Sequence, residues 1–190
     1  MTLFSAVLFI HVLSAMALFI GLAFEGAILL RLRAANSLEE LGKAVNASRR
    51  LGSVYGPAFL GILVGGIYLA YQLHLRAAWV PLALLSTLLM GMVAGTVTGR
   101  QMSRLRKALA QKQSSFDSLS GMARGNALVV SYGFRFGLAV GIVYLMSAMP
   151  KLVPSLVALV LGPIVGIVLA RRLCQASPQR TEQSAMAARE

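Results

Sequence analysis

Two histidines, two methionines, one glutamate and one arginine are the side chains of this 190-residue chain whose types and spacing could do chemistry inside a bilayer. Imidazole and thioether together suit copper, Cu(I) above all, and two imidazoles can hold a haem iron from both sides. His11 and His74 are the only imidazoles. At ~1.5 Å per helical residue, His11 lies about 30 Å from Arg31, and His74 about 33 Å from Gly52. Met146 and Met149 lie about 33–37 Å from Arg124 on the same scale. The four are therefore expected in one outer layer. They form a candidate metal set, with His11 and His74 as candidate ligands for copper or haem b.

Glu25 and Arg135 form a second candidate site. Ionisable residues inside a membrane are costly and rare, so each needs a partner or a purpose. Glu25 lies about 9 Å inside Arg31, and Arg135 about 16 Å inside Arg124. An Arg side chain spans that difference when it bends along the helix axis. The two are expected to pair, or to share a polar network with Ser131 and Tyr132. Such a pair could lock two helices together, carry protons or ions, or leave Arg135 to hold an anionic ligand.

The elements that must position these residues are long apolar helices. Hydrophobic residues make up 57% of the chain and charged residues 13%, about half the charged share of a soluble domain. A membrane-spanning helix needs about 20 apolar residues. Five segments meet that length or nearly do: 3–30, 52–74, 79–99, 126–149 and 152–170. The first lacks a basic start and carries Glu25 in place of a small-residue cleavage site, so it reads as a permanent helix rather than a signal peptide.

The net charge of +12 comes from basic residues placed in alternate gaps. Arg31, Arg33, Lys43, Arg49 and Arg50 fill the first gap, and Arg100, Arg104, Arg106, Lys107, Lys112 and Arg124 the third. Arg171, Arg172, Arg180 and Arg189 follow the last span, while the other gaps hold only Arg76 and Lys151. Basic residues collect on the cytoplasmic side of inner membranes. The expected fold is thus an all-α, polytopic bundle of five transmembrane helices in the bacterial inner membrane, N-terminus out and C-terminus in. Residues 1–173 form its one domain, and 174–190 a disordered cytoplasmic tail. Tyr71, Trp79 and Tyr144 are expected in an interfacial aromatic belt.

The charges flank spans and form no face with interleaved aromatics, so nucleic acid is excluded as a partner and the bilayer is implied. No phosphate loop, no zinc-hydrolase helix and no Ser/His/Asp set is present. Catalysis by hydrolysis or nucleotide turnover has no equipment here, and no catalytic residue is assigned. The single Cys174 cannot form an internal disulfide and reads as an inert thiol.

The loops carry local signals. Ser37 with Glu40 matches a capping box, and Leu38, Leu41 and Val45 share one helical face, which predicts a short amphipathic helix on the inner leaflet. Residues 100–112 predict a basic helix, and 114–125 an irregular passage. Glycines recur four apart as Gly61/Gly65, Gly91/Gly95/Gly99, Gly133/Gly137/Gly141 and Gly162/Gly166. That spacing keeps them on one face and predicts close helix packing, within the bundle or in a homo-oligomer. Tyr55-Gly56 with Gly61 and Gly65 also echoes Tyr132-Gly133 with Gly137 and Gly141, as two tandem hairpins behind the first helix would.

His11-Val-Leu-Ser14, Gly21-Leu-Ala-Phe24 and Arg31 resemble the first helix of the copper-resistance D-like membrane proteins. They also resemble that of the haem-associated membrane-bound protoporphyrinogen oxidases. In length and loop charge the chain is closer to a bacterial family of integral membrane proteins of unknown function. Gly65-Gly66-Ile67-Tyr68-Leu69 resembles the next helix of these families, so the similarity covers roughly 1–75. By that resemblance His11 is a haem-ligand candidate. Three roles follow: a small non-enzymatic membrane protein handling copper or haem at the outer face, a haem-binding oxidoreductase or electron-transfer subunit, or a structural subunit of a larger membrane complex.

Overall fold

At residues 35–37 the chain turns between its first two long helices, and the turn shows how local chemistry sets the hairpin. Helix α1 spans Leu3–Ala34 and α2 spans Leu38–Gln72. Ser37 Oγ accepts from the Glu40 backbone N–H at 3.2 Å, and a Glu40 carboxylate oxygen accepts from the Asn36 N–H at 2.9 Å. One free donor of the first turn and the N–H just before the cap are satisfied this way, so the helix starts here. In this computed structural model residues 2–74, 77–111 and 115–187 are described, with side chains as far as Gln175. Arg76 and Lys112 lie outside the described residues.

Helix α3 spans Trp79–Val93 and runs through a π-helical segment, Ala94–Gly99, into α4, Arg100–Ala110. A short α5 spans Phe116–Ala123, α6 spans Asn126–Ala148 and α7 spans Leu152–Ala187. Among the described residues there is no strand, and five helices are long and apolar enough to cross a membrane. α1, α3 and α6 carry no polar stripe, as expected of helices with apolar surroundings on every side. Much of the outer surface is large and apolar: Phe9, Leu13, Ile20 and Phe24 of α1, and Val157, Leu161 and Val168 of α7, are exposed.

Two hairpins hold the bundle. α1 lies along α2, and α6 along α7, while α3 packs mainly on α6 and touches α2 sparsely. In the first hairpin Gly21 meets the Tyr55 ring, Gly61 meets Ser14, and Gly65 meets His11. In the second the glycines face each other. A Cβ on Gly133 would lie 2.6 Å from the Gly166 carbonyl oxygen, and one on Gly162 would lie 2.5 Å from that of Gly137. The glycines of the echoed motif therefore serve different neighbours: α1 side chains for Gly61 and Gly65, the α7 backbone for Gly133 and Gly137.

Several local expectations are revised. The capping box is real, but the amphipathic stretch after it is the first turns of α2 rather than a separate helix. Leu41 and Val45 are buried, whereas Leu38 is exposed. They join Leu32, Leu105, Leu119, Ala123, Leu128 and Cys174 in a core at the basic end. Apolar faces from α2, α4 and α5 cover one another there instead of each lying on lipid. Residues 116–123 are helical, not irregular, because Ser115 caps them by accepting from the Ser118 N–H at 3.4 Å. Trp79 is buried in the second core with Leu22, Ala83 and Leu145, not placed in a belt. The last helix runs as far as Ala187.

Candidate functional site

Glu25 of α1 and Arg135 of α6 face each other across the middle of the bundle. Arg135 Nη1 donates to Glu25 Oε2 at 3.0 Å, and Nη2 donates to Oε1. Both side chains are buried, Arg135 to 2% exposure. A planar guanidinium matches a carboxylate in this two-bond geometry, which suits a desolvated pair. Tyr55 of α2 donates its hydroxyl to Glu25 Oε2 at 2.7 Å. Thr98, from the π-helical segment, accepts from Arg135 Nη2 at 3.1 Å, and its hydroxyl also meets Ser131 Oγ at 3.0 Å. One network thus ties α1, α2, α6 and the π-helical segment together.

Each element supplies its member for a local reason. In the π-helical segment two glycines and three β-branched residues weaken the ordinary helical ladder. Thr96 Oγ1 donates to the Met92 carbonyl at 2.7 Å, taking a carbonyl beside the wider turn. π-helical turns are rare and frequent at functional sites, and this one carries Thr98. On α1, Gly21 and Gly26 flank Glu25 and receive the rings of Tyr55 and Tyr132. Tyr132, expected in the network, stands beside it. Its hydroxyl lies against Gly26 and its ring stacks on Phe136 at 6.1 Å, and it makes no hydrogen bond to either member of the pair.

Beside the network lies a cavity of about 660 Å³. α1 and α2 form one wall, α3 with the π-helical segment and α4 the other, and Glu25, Tyr55, Thr98 and Arg135 all reach it. Most of the lining is apolar, including Leu18, Leu22, Phe59 and Met90. Gly52, Gly56 and Gly95 also line it, and a Cβ on any of them would meet nothing within 4 Å. Missing side chains hold this space open. Ser48, Arg49 and Arg106 line its basic end. Arg49 is six residues from Tyr55 and Arg106 eight from Thr98, so the arginines sit about 9–12 Å along the helices from the buried network.

The outer candidate set does not converge. His11 is buried between α1 and α2, its ring against Gly65 and Gly66. The register that sets His11 against Gly65 sets His74 opposite Thr2, so the two histidines are about 13 Å apart along α2. His74 follows the end of α2 in a left-handed conformation, φ 49°, and is exposed. Met149 ends α6 in the same conformation and is 62% exposed. Met146 packs among the apolar residues of the second core. α2 starts at Leu38, so Gly52 lies well inside it, and a height counted from Gly52 is not on the scale counted from Arg31.

His11 Nδ1 is buried without a hydrogen-bond partner, which could mark a ligand. Its slot has no room for one: a Cβ on Gly65 would lie 3.1 Å from His11 Cβ, and one on Gly66 3.3 Å from Cε1. Among the described residues no group of three or more His, Cys, Asp or Glu could hold a metal ion.

Comparison with protein-family models, with curated proteins and with solved structures finds no match to this chain. The site must be read from its own residues. Sequence reasoning paired Glu25 with Arg135 and placed Ser131 near them. It missed Tyr55, Thr98 and the cavity. The available signal for Thr98 was a hydroxyl residue among glycines at the end of an apolar span, one face away from Arg135.

Proposed function

We propose that this is a non-enzymatic, multi-pass protein of the bacterial inner membrane that binds an amphipathic small molecule in the cavity between α2 and α3. The N-terminus is outside and the basic end is cytoplasmic, as the alternating charges require. One observation carries the reading: a cavity with apolar walls, lined by glycines that pack on nothing, with a buried, charge-neutral polar network at its centre in which Arg135 Nε alone has no partner. Its volume falls in the range of small-molecule sites, about 300–1,000 Å³. Copper and haem have no part in this reading, which rests on the cavity, and none of His11, His74, Met146 and Met149 lines it.

The buried pair serves this role by cancelling its own charge. Glu25 neutralises Arg135, and Tyr55 and Thr98 occupy further hydrogen-bonding positions. The cavity centre therefore presents no net charge to an apolar body. Mass spectrometry of the protein released intact from membranes tests the reading. The wild type is expected to retain an amphipathic molecule in defined stoichiometry, and Gly95→Leu to lose it while remaining folded. A wild type that retains nothing, or a Gly95→Leu protein that retains as much, overturns the proposal.

A further inference from the structure

We propose that the occupant is anionic: a single-chain amphiphile whose phosphate or carboxylate head sits between Arg49 and Arg106, with its tail running past the buried network towards Phe59 and Met90. This rests on the cavity being a binding site and adds the chemical class of what it binds.

The charge balance of the lining comes first. Four charged side chains face the cavity: Glu25, Arg49, Arg106 and Arg135. Glu25 and Arg135 cancel each other. Among the described residues the salt bridges are that pair and Lys43 with Glu39, so no carboxylate lies within 4 Å of Arg49 or Arg106. The cavity thus carries two unmatched positive charges, both at its basic end, one from each wall. Arg106 spends Nε on the Met102 carbonyl, at 3.3 Å, which leaves its two terminal nitrogens for another acceptor. Guanidinium groups bind phosphate and carboxylate through paired N–H donors. Ser48, on the same rim, adds no donor for the head, because its hydroxyl donates to the Val45 carbonyl at 2.6 Å.

The shape comes second. Arg49 to Phe59 is ten helical residues, about 15 Å, and Arg106 to Met90 is sixteen, about 24 Å. The cavity is therefore long in the direction of the helices. Its middle passes between Gly52 and Gly56 on one wall and Gly95 on the other, where backbone alone forms the surface. A slim unbranched tail passes such a place without displacing the buried network, whose members already hold one another. A free anion would use the arginines and leave the apolar part of the cavity unexplained.

Binding is measured on the full chain in nanodiscs of zwitterionic lipid with four probes: a fatty acid, the lysophosphatidic acid of the same chain, the fatty alcohol of the same chain, and inorganic phosphate. Both anionic amphiphiles are expected to bind about tenfold or more tighter than the alcohol, the scale of a charge-assisted hydrogen bond or two. Arg49→Gln with Arg106→Gln should abolish that preference and leave alcohol binding unchanged, and Arg49→Lys with Arg106→Lys should retain part of it. Alcohol binding as tight as the acids, or a preference that survives the double Gln variant, overturns the inference and leaves the cavity reading standing. Inorganic phosphate binding alone with the same arginine dependence overturns the assignment of the tail. No binding of any amphiphile overturns the cavity reading itself. Both arginines are exposed and far from the seam of α6 and α7, so the Gln variants keep the fold, which thermal unfolding checks.

Discussion

Between α6 and α7, the backbones touch at Gly133, Gly137, Gly162 and Gly166. Between α2 and the π-helical continuation of α3, Gly52, Gly56 and Gly95 face open space. Residue type is the same and the spacing much the same, yet one interface is shut and the other is a cavity. The difference lies in what stands opposite each glycine. α7 offers glycines to the α6 glycines in register, so the two helices close until backbone meets backbone. α3 offers Gly91 to a ring, that of Phe59, which stands 2.7 Å from a Cβ built there. Phe59 and the buried network below it hold the two walls apart. Glycine spacing therefore marks where helices can approach, and the residue opposite decides whether they do.

The comparison is broken most severely at the closed seam. Gly137→Val should abolish accumulation of folded protein, because its side chain would overlap the Gly162 carbonyl. A backbone cannot rotate away as a side chain can, so the cost should exceed the usual 1–3 kcal/mol of overpacking, by about a factor of two. A folded Gly137→Val protein with an unchanged melting temperature would show that the seam is not what holds α6 to α7.

The next effect is at the buried pair, which braces the open side. Glu25→Ala or Arg135→Ala alone should destabilise by about 3–5 kcal/mol, since each strands a buried charge. Replacing both at once, Glu25→Leu with Arg135→Met, leaves no charge stranded and should recover most of the loss. Thermal unfolding in detergent reads all three. If Arg135→Ala is silent while Glu25→Ala is not, the bond between them contributes little.

Filling the cavity should have the opposite sign. Gly95→Leu is expected to leave stability unchanged or to raise it by about 1 kcal/mol, through the gain of helix propensity and the burial of a side chain in empty space. The same substitution at Gly162 should be disruptive, and measuring the two side by side sharpens the contrast directly. The smallest effects belong to the discarded metal set. Met149→Gly should stabilise by about 0.5–1 kcal/mol, because glycine adopts the φ of 44° without strain. His74→Ala should change stability by no more than a typical surface substitution, about 0.5 kcal/mol, as the melting temperature will show.

Glu25 and Arg135 were legible because a charge in an apolar span is conspicuous, and counting from the flanking basic residues gave both a depth. His74 was counted from Gly52, which lies well inside α2 and so is not on the scale used for His11. α2 begins at Leu38, and its register against α1 follows from the Ser37 turn. Tyr55 and Thr98 stayed hidden for a related reason. Neither is unusual in a membrane helix, and only the crossing of α1, α2 and the π-helical segment brings them to the ion pair. The core at the basic end was half visible: the apolar face of Leu38, Leu41 and Val45 and a helix over 100–112 were apparent, but not that the two pack together.

By itself the sequence determined five apolar helices, their alternation with basic loops, the buried opposite charges and the stripes of glycine, because each of these is a property of single segments and their composition. The tertiary structure alone decided which glycines seal and which leave a space, that His11 packs away from His74, and that Arg49 and Arg106 share one cavity. Those outcomes depend on helix register and on the residue facing each position across an interface, and neither is a property of any one segment.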